Sequence, residues 1–302
     1  MAEISRRAFV KTAAACAVAL ETRQLWANPL GRPIGLQLYS VREFLPTDYA
    51  GTLKQLGAMG YQEVEAAGFF NHSAAEVKQA MSDAGLRCVS AHYALADLKP
   101  HLDEIVAYGK SLGLSFIICS APMMRDPSRA KGLSWNATME AVSLDDWKWN
   151  ADQFNEIGAK VKDAGIQFGY HNHFVEFHRK EGGVRPYDVI LKTTDPQLVT
   201  LEMDVGWVVI GGGKPEEYLT QYPTRFTQLH VKQFKLENWK PGEEPISTEM
   251  TQGSLDYKSI FAAAKKTSVQ HIYVEQEAFP DMPAMPALKV DAEWLKAFKD
   301  TA

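Results

Sequence analysis

Four times in this chain a helix-like run ends on a glycine and then turns apolar: "AMGY" at 58–61, "DAGL" at 83–86, "SLGL" at 111–114 and "DAGI" at 163–166. A glycine in that place closes the last helical turn in a left-handed conformation, and the apolar residues beyond it read as a strand. The strand-like runs are 34–41, 61–67, 87–93, 115–121, 166–173, 199–206, 226–234 and 270–277. Helical segments at 47–59, 73–85, 101–113, 146–164, 186–193, 214–221, 254–267 and near 291–300 separate or succeed them. Strands that alternate with helices pair in parallel. Eight such units predict a closed (β/α)8 TIM barrel in one domain, the size for which is about 250 residues. The rival, an open doubly wound sheet, would place a glycine-rich phosphate loop after its first strand. "LYSVREF" at 38–44 is nothing of that kind. The loop at 121–145 is long enough to serve as a lid or binding loop.

The first 27 residues read as an address. "SRRAFVK" at 5–11 leads into the short apolar run "TAAACAVAL" at 12–20, the pattern of a twin-arginine export signal. The expected division is a signal at 1–27 and a barrel at 28–302, with a destination outside the cytoplasm: periplasmic or secreted. No run of eighteen apolar residues spans a membrane once the signal is gone. Cys16 lies in that signal; Cys88 and Cys119 fall in predicted strands and read as buried thiols. A net charge of −5 and a pI of about 5.9 argue against a nucleic-acid partner held through phosphates. Assembly into a homo-oligomer stays open.

Inside a barrel strand, residues alternate between the lumen and the helix layer. One parity here is apolar, and the other turns polar toward the C-terminal end. The pairs are Gln37 and Tyr39, Glu63 and Glu65, Ser90 and His92, His171 and His173, Glu202 and Asp204, and His230 and Lys232, with Tyr273, Glu275 and Glu277 last. Only the fourth strand stays apolar, up to Ser120. Burying so many ionisable groups costs several kcal/mol each unless they are paired or metal-bound. Glu63 is expected at the lower, solvated end. The others cluster where barrel enzymes carry their chemistry. Asp, His and Glu from separate strands suit Mn, Zn, Fe, Co or Mg without selecting among them. A divalent ion there polarises a carbonyl or hydroxyl pair and stabilises an enediolate.

Three motifs carry a resemblance: "LEMDVGW" with Asp204, "LHVKQF" with His230 and Lys232, and "YVEQE" with Glu275. On these the chain resembles the xylose isomerase-like TIM barrel superfamily, the sugar phosphate isomerase/epimerase group that includes endonuclease IV. The resemblance implies a metal held by Asp204, His230 and Glu275. In the fifth strand, where many members have Glu-Asn-His, this chain has His171-Asn172-His173, a "YHNHxxEF" variant. Either His171 replaces that glutamate or Glu176 folds back to ligate. Register favours His171 and charge favours Glu176. Glu176 is the expected fourth ligand, with His171 and His173 as substrate or alternate metal contacts.

The resemblance further implies a proton transfer alpha to a carbonyl on a sugar or keto-sugar: isomerisation, epimerisation, dehydration or elimination, including a lyase acting on 3-keto-glycosides. Lys232, His92 and Glu65 are the candidate acid, base or substrate groups. Tyr39 and Trp207 are candidate sugar platforms, and Phe69, Phe70, Tyr93 and Phe234 also stand near strand ends. Two alternatives are an endonuclease IV-like phosphodiesterase and a non-catalytic sugar-binding barrel. The expected partner is a small sugar without phosphate, because "GGGKPEEY" at 211–218 offers one lysine followed by two glutamates.

Overall fold

The structure is a computed structural model that describes residues 30–298. The export signal, its boundary after residue 27 and Cys16 lie outside the described residues. Eight parallel strands close into a barrel: β1 (Ile34–Gln37), β2 (Glu63–Ala66), β3 (Arg87–Ala94), β4 (Phe116–Ala121), β5 (Gln167–His171), β6 (Val199–Asp204), β7 (Phe226–Val231) and β10 (His271–Val274). Each pairs with its neighbour in sequence order, and β10 returns to β1 through Ile34 with Ile272. Every strand falls on the run expected for it; most are shorter at their ends, and β3 runs on to Ala94. Among the described residues no helix is long and apolar enough to cross a membrane.

All four turn glycines take the left-handed conformation: Gly60 (φ 96°), Gly85 (φ 68°), Gly113 (φ 91°) and Gly165 (φ 78°). A side chain there would cost about 1 kcal/mol or more, so these positions fix where each helix hands over to its strand. The helix-facing parity of the strands is fully apolar. Leu36, Val64, Ile117, Phe168, Leu201, Leu229 and Ile272 are all buried in one core with the helices. The lower lumen holds a separate apolar plug of Val89, Phe116 and Ile118, which is why β4 alone reads as unbroken hydrophobic sequence.

Four features depart from the sequence reading. The helix expected at 101–113 starts at Leu95 and is kinked at His101, next to Pro100. The last helix begins at Ala284, behind a proline N-cap, and runs to Ala297; Pro283 and Pro286 are accommodated at its start, where no backbone donor is needed. After β7 the chain makes an antiparallel hairpin of β8 (Gln233–Lys235) and β9 (Ile246–Thr248). Finally, Glu63 is at the lower end of β2 but is fully buried. It pairs with Arg87 through Oε1, and its Oε2 lies at hydrogen-bond distance, 2.7 Å, from His271 Nδ1. Cys88 and Cys119 are free and buried.

Candidate active site

The upper lumen is built from strand ends. His92, on β3, places Nε2 at 2.8 Å from Glu65 Oε2 and 2.7 Å from Glu202 Oε2. His171 Nδ1 lies 2.9 Å from the same Glu202 oxygen. His230 sits between carboxylates, with Nε2 2.6 Å from Glu65 Oε2 and Nδ1 3.0 Å from Glu275 Oε2. Glu65 is held in turn by Gln37 Nε2 (2.8 Å) and Ser90 Oγ (2.5 Å).

Asp204 ends β6 and caps the short helix Val205–Ile210: Oδ1 accepts from the Trp207 amide at 2.8 Å. That leaves Oδ2 to face the lumen. Asn172 clamps the ends of β5 and β6 together, receiving the Asp204 amide on Oδ1 and giving Nδ2 to the Asp204 carbonyl. Two residues on, Gly206 is required because a Cβ there would meet the Phe234 ring at 2.8 Å and Lys232 Cγ at 3.1 Å. Lys232 thereby passes under Trp207, with Nζ 4.7 Å from a ring centroid. Its ammonium stands 2.9 Å from Asp204 Oδ2 and 2.8 Å from Glu275 Oε2, and it also pairs with Glu277. The contact to Asp204 is at ion-pair distance without hydrogen-bond geometry, so Oδ2 still lacks a donor.

Burial and charge split these groups into protonated and neutral sets. Burial alone would lower the His92 pKa, but the Glu65 and Glu202 carboxylates outweigh it and hold His92 at about 9. His230 is likewise raised, against burial, by Glu202 and Glu275. His171 goes the other way: burial, reinforced by the positive charges of His230 and His92, keeps it neutral. Burial lifts Asp204 to about 6 even though Lys232 pulls it down. Glu275 is held low by Lys232 and His230 in spite of its burial.

Two groups have ligand atoms that all lie within 4.8 Å of one another: His92, His171, Glu202 and His230, and Asp204, His230 and Glu275. Each contains a buried carboxylate oxygen without a donor, Glu202 Oε1 and Asp204 Oδ2. Imidazole, neutral at His171 and at His230 once a cation displaces its proton, and carboxylate oxygens are the ligand chemistry of a divalent cation, so this donor set fits one. His230 belongs to both groups, which makes it the hinge of the centre.

Of the sequence-predicted site residues, His171, Asp204, His230 and Glu275 converge here, with Glu65, His92 and Lys232 around them. Glu176 does not join them. It lies in a short turn after β5, where Oε1 accepts from Tyr170 Oη (2.5 Å) and the His173 amide (2.9 Å). Tyr170 belongs to the helix-facing parity of β5, so this hydrogen bond draws Oε1 away from the lumen, while Oε2 has no donor; burial raises the Glu176 pKa to about 7, and the Asp204 charge adds to the rise. Glu202, from inside the lumen, supplies the carboxylate that charge balance assigns to Glu176. The signal is present in the sequence, since Glu202 precedes Asp204 by two residues on one strand face.

Above the centre opens a cavity of about 880 Å³. His92, His171, His173, Glu275 and Glu277 line its floor, and Tyr39, Tyr93 and Trp207 line its sides. Phe69, Phe70 and Phe234 pack into the core instead. The long loop after β4 contributes Trp135, Asn136 and Glu140, and the hairpin after β7 contributes Trp239 and 242–245. No pattern in the sequence announces that hairpin.

A closed eight-stranded barrel with histidines and carboxylates converging at the C-terminal ends of its strands defines a TIM barrel of the type that carries chemistry at that face. The sequence model of the family "Xylose isomerase-like TIM barrel" matches residues 53–298, and the chain belongs to that family. It is similar to an inosose dehydratase of Clostridium beijerinckii, 28% identical over 151 residues, which are 45% of this chain and 49% of that one. The chain thus spans about half the length of that relative. A solved sugar phosphate isomerase/epimerase of Parabacteroides distasonis superimposes with a TM-score of 0.69 at 27% identity, covering 88% of this chain and 94% of the other. A xylose isomerase-like TIM barrel protein of Mycobacterium smegmatis, solved in complex with magnesium, shares the fold (TM-score 0.62, 14% identity, 89% and 97% covered).

Proposed function

We propose that this protein is a metal-dependent enzyme that moves a proton alpha to a carbonyl of an unphosphorylated sugar, keto-sugar or cyclic polyhydroxy ketone, giving isomerisation, epimerisation or elimination of water or an aglycone. One observation carries the reading: three imidazoles and three carboxylates from five separate strand ends meet at the floor of an 880 Å³ cavity, with two carboxylate oxygens among them that accept no hydrogen bond. The names of the relatives, an inosose dehydratase and a sugar phosphate isomerase/epimerase, support the same reaction class.

His171, Asp204, His230 and Glu275 would hold the cation, with Glu202 beside them. Bound there, it would supply Lewis-acid stabilisation of negative charge developing on oxygen. The remaining groups manage protons. His92 is the candidate that both touches carboxylates and faces the cavity, its side chain 12% exposed. Glu65 is fully buried beneath His92 and His230, suited to orient and charge them. Lys232 is also fully enclosed, and its ammonium balances Asp204, Glu275 and Glu277. A proton held on His92 can be delivered to a leaving oxygen or exchanged at carbon. We further propose export by the twin-arginine route, for which the 1–27 segment is the support.

The test is incubation of metal-loaded protein with sugars, cyclic ketoses and 3-keto-glycosides in deuterated water, followed by NMR. Deuterium at one carbon next to a carbonyl is expected, dependent on the ion. A folded protein that takes up no divalent metal and exchanges no carbon-bound proton overturns the reading.

A further inference from the structure

We propose that the outer half of the cavity is a binding subsite for a second, uncharged ring joined to the reacting sugar. This rests on the proposed function, in which a sugar ring sits over the histidines. The cavity lies in the upper part of the range that encloses drug-sized ligands, about 300–1,000 Å³, and exceeds what one pyranose fills. Its depth is graded. The His171 and Glu275 side chains at the floor are almost fully covered, whereas Trp135 at the mouth is 44% exposed.

The outer walls are aromatic and fixed. Trp135 opens a short helix, Trp135–Glu140, whose N-terminus Ser134 caps, and its ring meets the His173 ring at 4.8 Å. That helix is tied to the loop after β5 by Glu140, which pairs with His178 Nδ1 at 2.7 Å while its carbonyl accepts from Lys180 Nζ at 2.7 Å. Across the mouth, Trp239 is anchored through Nε1 to the Glu243 carbonyl at 2.9 Å. Indole faces of this kind bind the apolar faces of sugar or aryl rings at low entropic cost, since two torsions fix each side chain.

The charge of the lining then selects among ring-bearing ligands. Among the described residues no lysine or arginine lines the cavity, whereas Asp97, Glu140, Glu243 and Glu244 do, together with Glu275 and Glu277 below. A phosphate or carboxylate brought to the outer half would meet like charge from Asp97, Glu243 and Glu244, while the nearby basic side chains His178 and Lys180 are already paired with Glu140. The outer subsite therefore takes a neutral sugar or aryl aglycone, and the substrate class is a neutral glycoside.

Isothermal titration calorimetry on the full chain tests this with glucose, cellobiose, 4-nitrophenyl β-glucoside and glucose 6-phosphate. Cellobiose and the nitrophenyl glucoside are expected to bind about tenfold more tightly than glucose, ~1.4 kcal/mol. Trp135→Ala and Trp239→Ala should each remove several-fold of that advantage while leaving glucose affinity and the melting temperature unchanged. Glucose 6-phosphate should bind more weakly than glucose. Equal affinity for one-ring and two-ring probes, no measurable binding of the two-ring probes, tighter binding of the phosphate ester, or a uniform loss for all probes in the tryptophan variants overturns the proposal. Ring discrimination without deuterium exchange would leave the subsite standing and remove the proposed reaction; exchange on single-ring sugars without ring discrimination would do the reverse.

Discussion

The two ends of the lumen solve the problem of buried charge differently. At the lower end Glu63 is enclosed, yet both its oxygens are engaged, by Arg87 and by His271. Above it the apolar plug of Val89, Phe116 and Ile118 fills the space, and Phe116 meets His271 edge-on at 5.5 Å. At the upper end the carboxylates and imidazoles are just as buried, but Glu202 Oε1 and Asp204 Oδ2 have no donor and His171 is held neutral. A closed polar cluster holds strands in register; an incompletely paired one keeps ligand capacity in reserve. A buried oxygen without any partner, such as Glu202 Oε1, costs about 1–3 kcal/mol, so the upper end carries a stability penalty that a bound cation would relieve.

The largest test of this contrast is His230→Ala. It removes the imidazole shared by both ligand groups, and turnover should fall by on the order of a thousandfold or more with loss of bound metal, measured by elemental analysis. Circular dichroism should show the fold intact. A variant that keeps its metal would break the comparison.

A sharper pair is His171→Ala against Glu176→Gln. Loss of a ligand from the upper centre should weaken metal binding by roughly a hundredfold, whereas the Glu176 change should leave it within about twofold, because Glu176 faces Tyr170 and the His173 amide. Competition with a fluorescent chelator reads both. The opposite ranking would restore Glu176 as the ligand and remove His171.

At the lower end, Glu63→Ala should cost stability and not chemistry. Urea denaturation is expected to show a loss of about 1–3 kcal/mol with unchanged turnover per folded molecule. A defect in turnover at unchanged stability would erase the distinction between the two ends.

A last test, read only in a pH profile, concerns Asp291, buried on the last helix, where Oδ1 accepts the Met250 amide at 2.7 Å. Burial raises its pKa to about 7, from 3.8 in an unfolded chain, with the nearby Glu249 adding to the shift. The folded state therefore holds a proton that the unfolded state has released between those values. This contribution to stability is complete below about pH 4 and is lost as the pH rises to about 7. Asp291→Asn should flatten that part of the melting temperature against pH curve; an unchanged slope would mean that Asp291 is ionised in the fold.

Much of the barrel is legible because it rests on local rules. Left-handed glycines at 60, 85, 113 and 165 mark helix ends, and an apolar parity marks the helix-facing side of each strand. The convergence of Asp204, His230 and Glu275 comes from the other parity. Less can be read where distant segments decide. Glu63 reads as solvated because its partners come from other strands: Arg87 from the adjacent β3, 24 residues on, and His271 from β10, 208 residues on and on the far side of β1. The β8–β9 hairpin is three residues a side and leaves almost no periodic trace.

The sequence by itself determined the alternation of elements, the face each strand turns inward and the chemical character of the ring of groups at its upper end, because each depends on residues a few positions apart. Only the tertiary structure decided which of those groups meet. It turned Glu176 outward to Tyr170, brought Glu202 in beside three histidines, and set Lys232 between Asp204 and Glu275. Those outcomes depend on barrel closure and on where each turn leaves the wall, distances that no local pattern encodes.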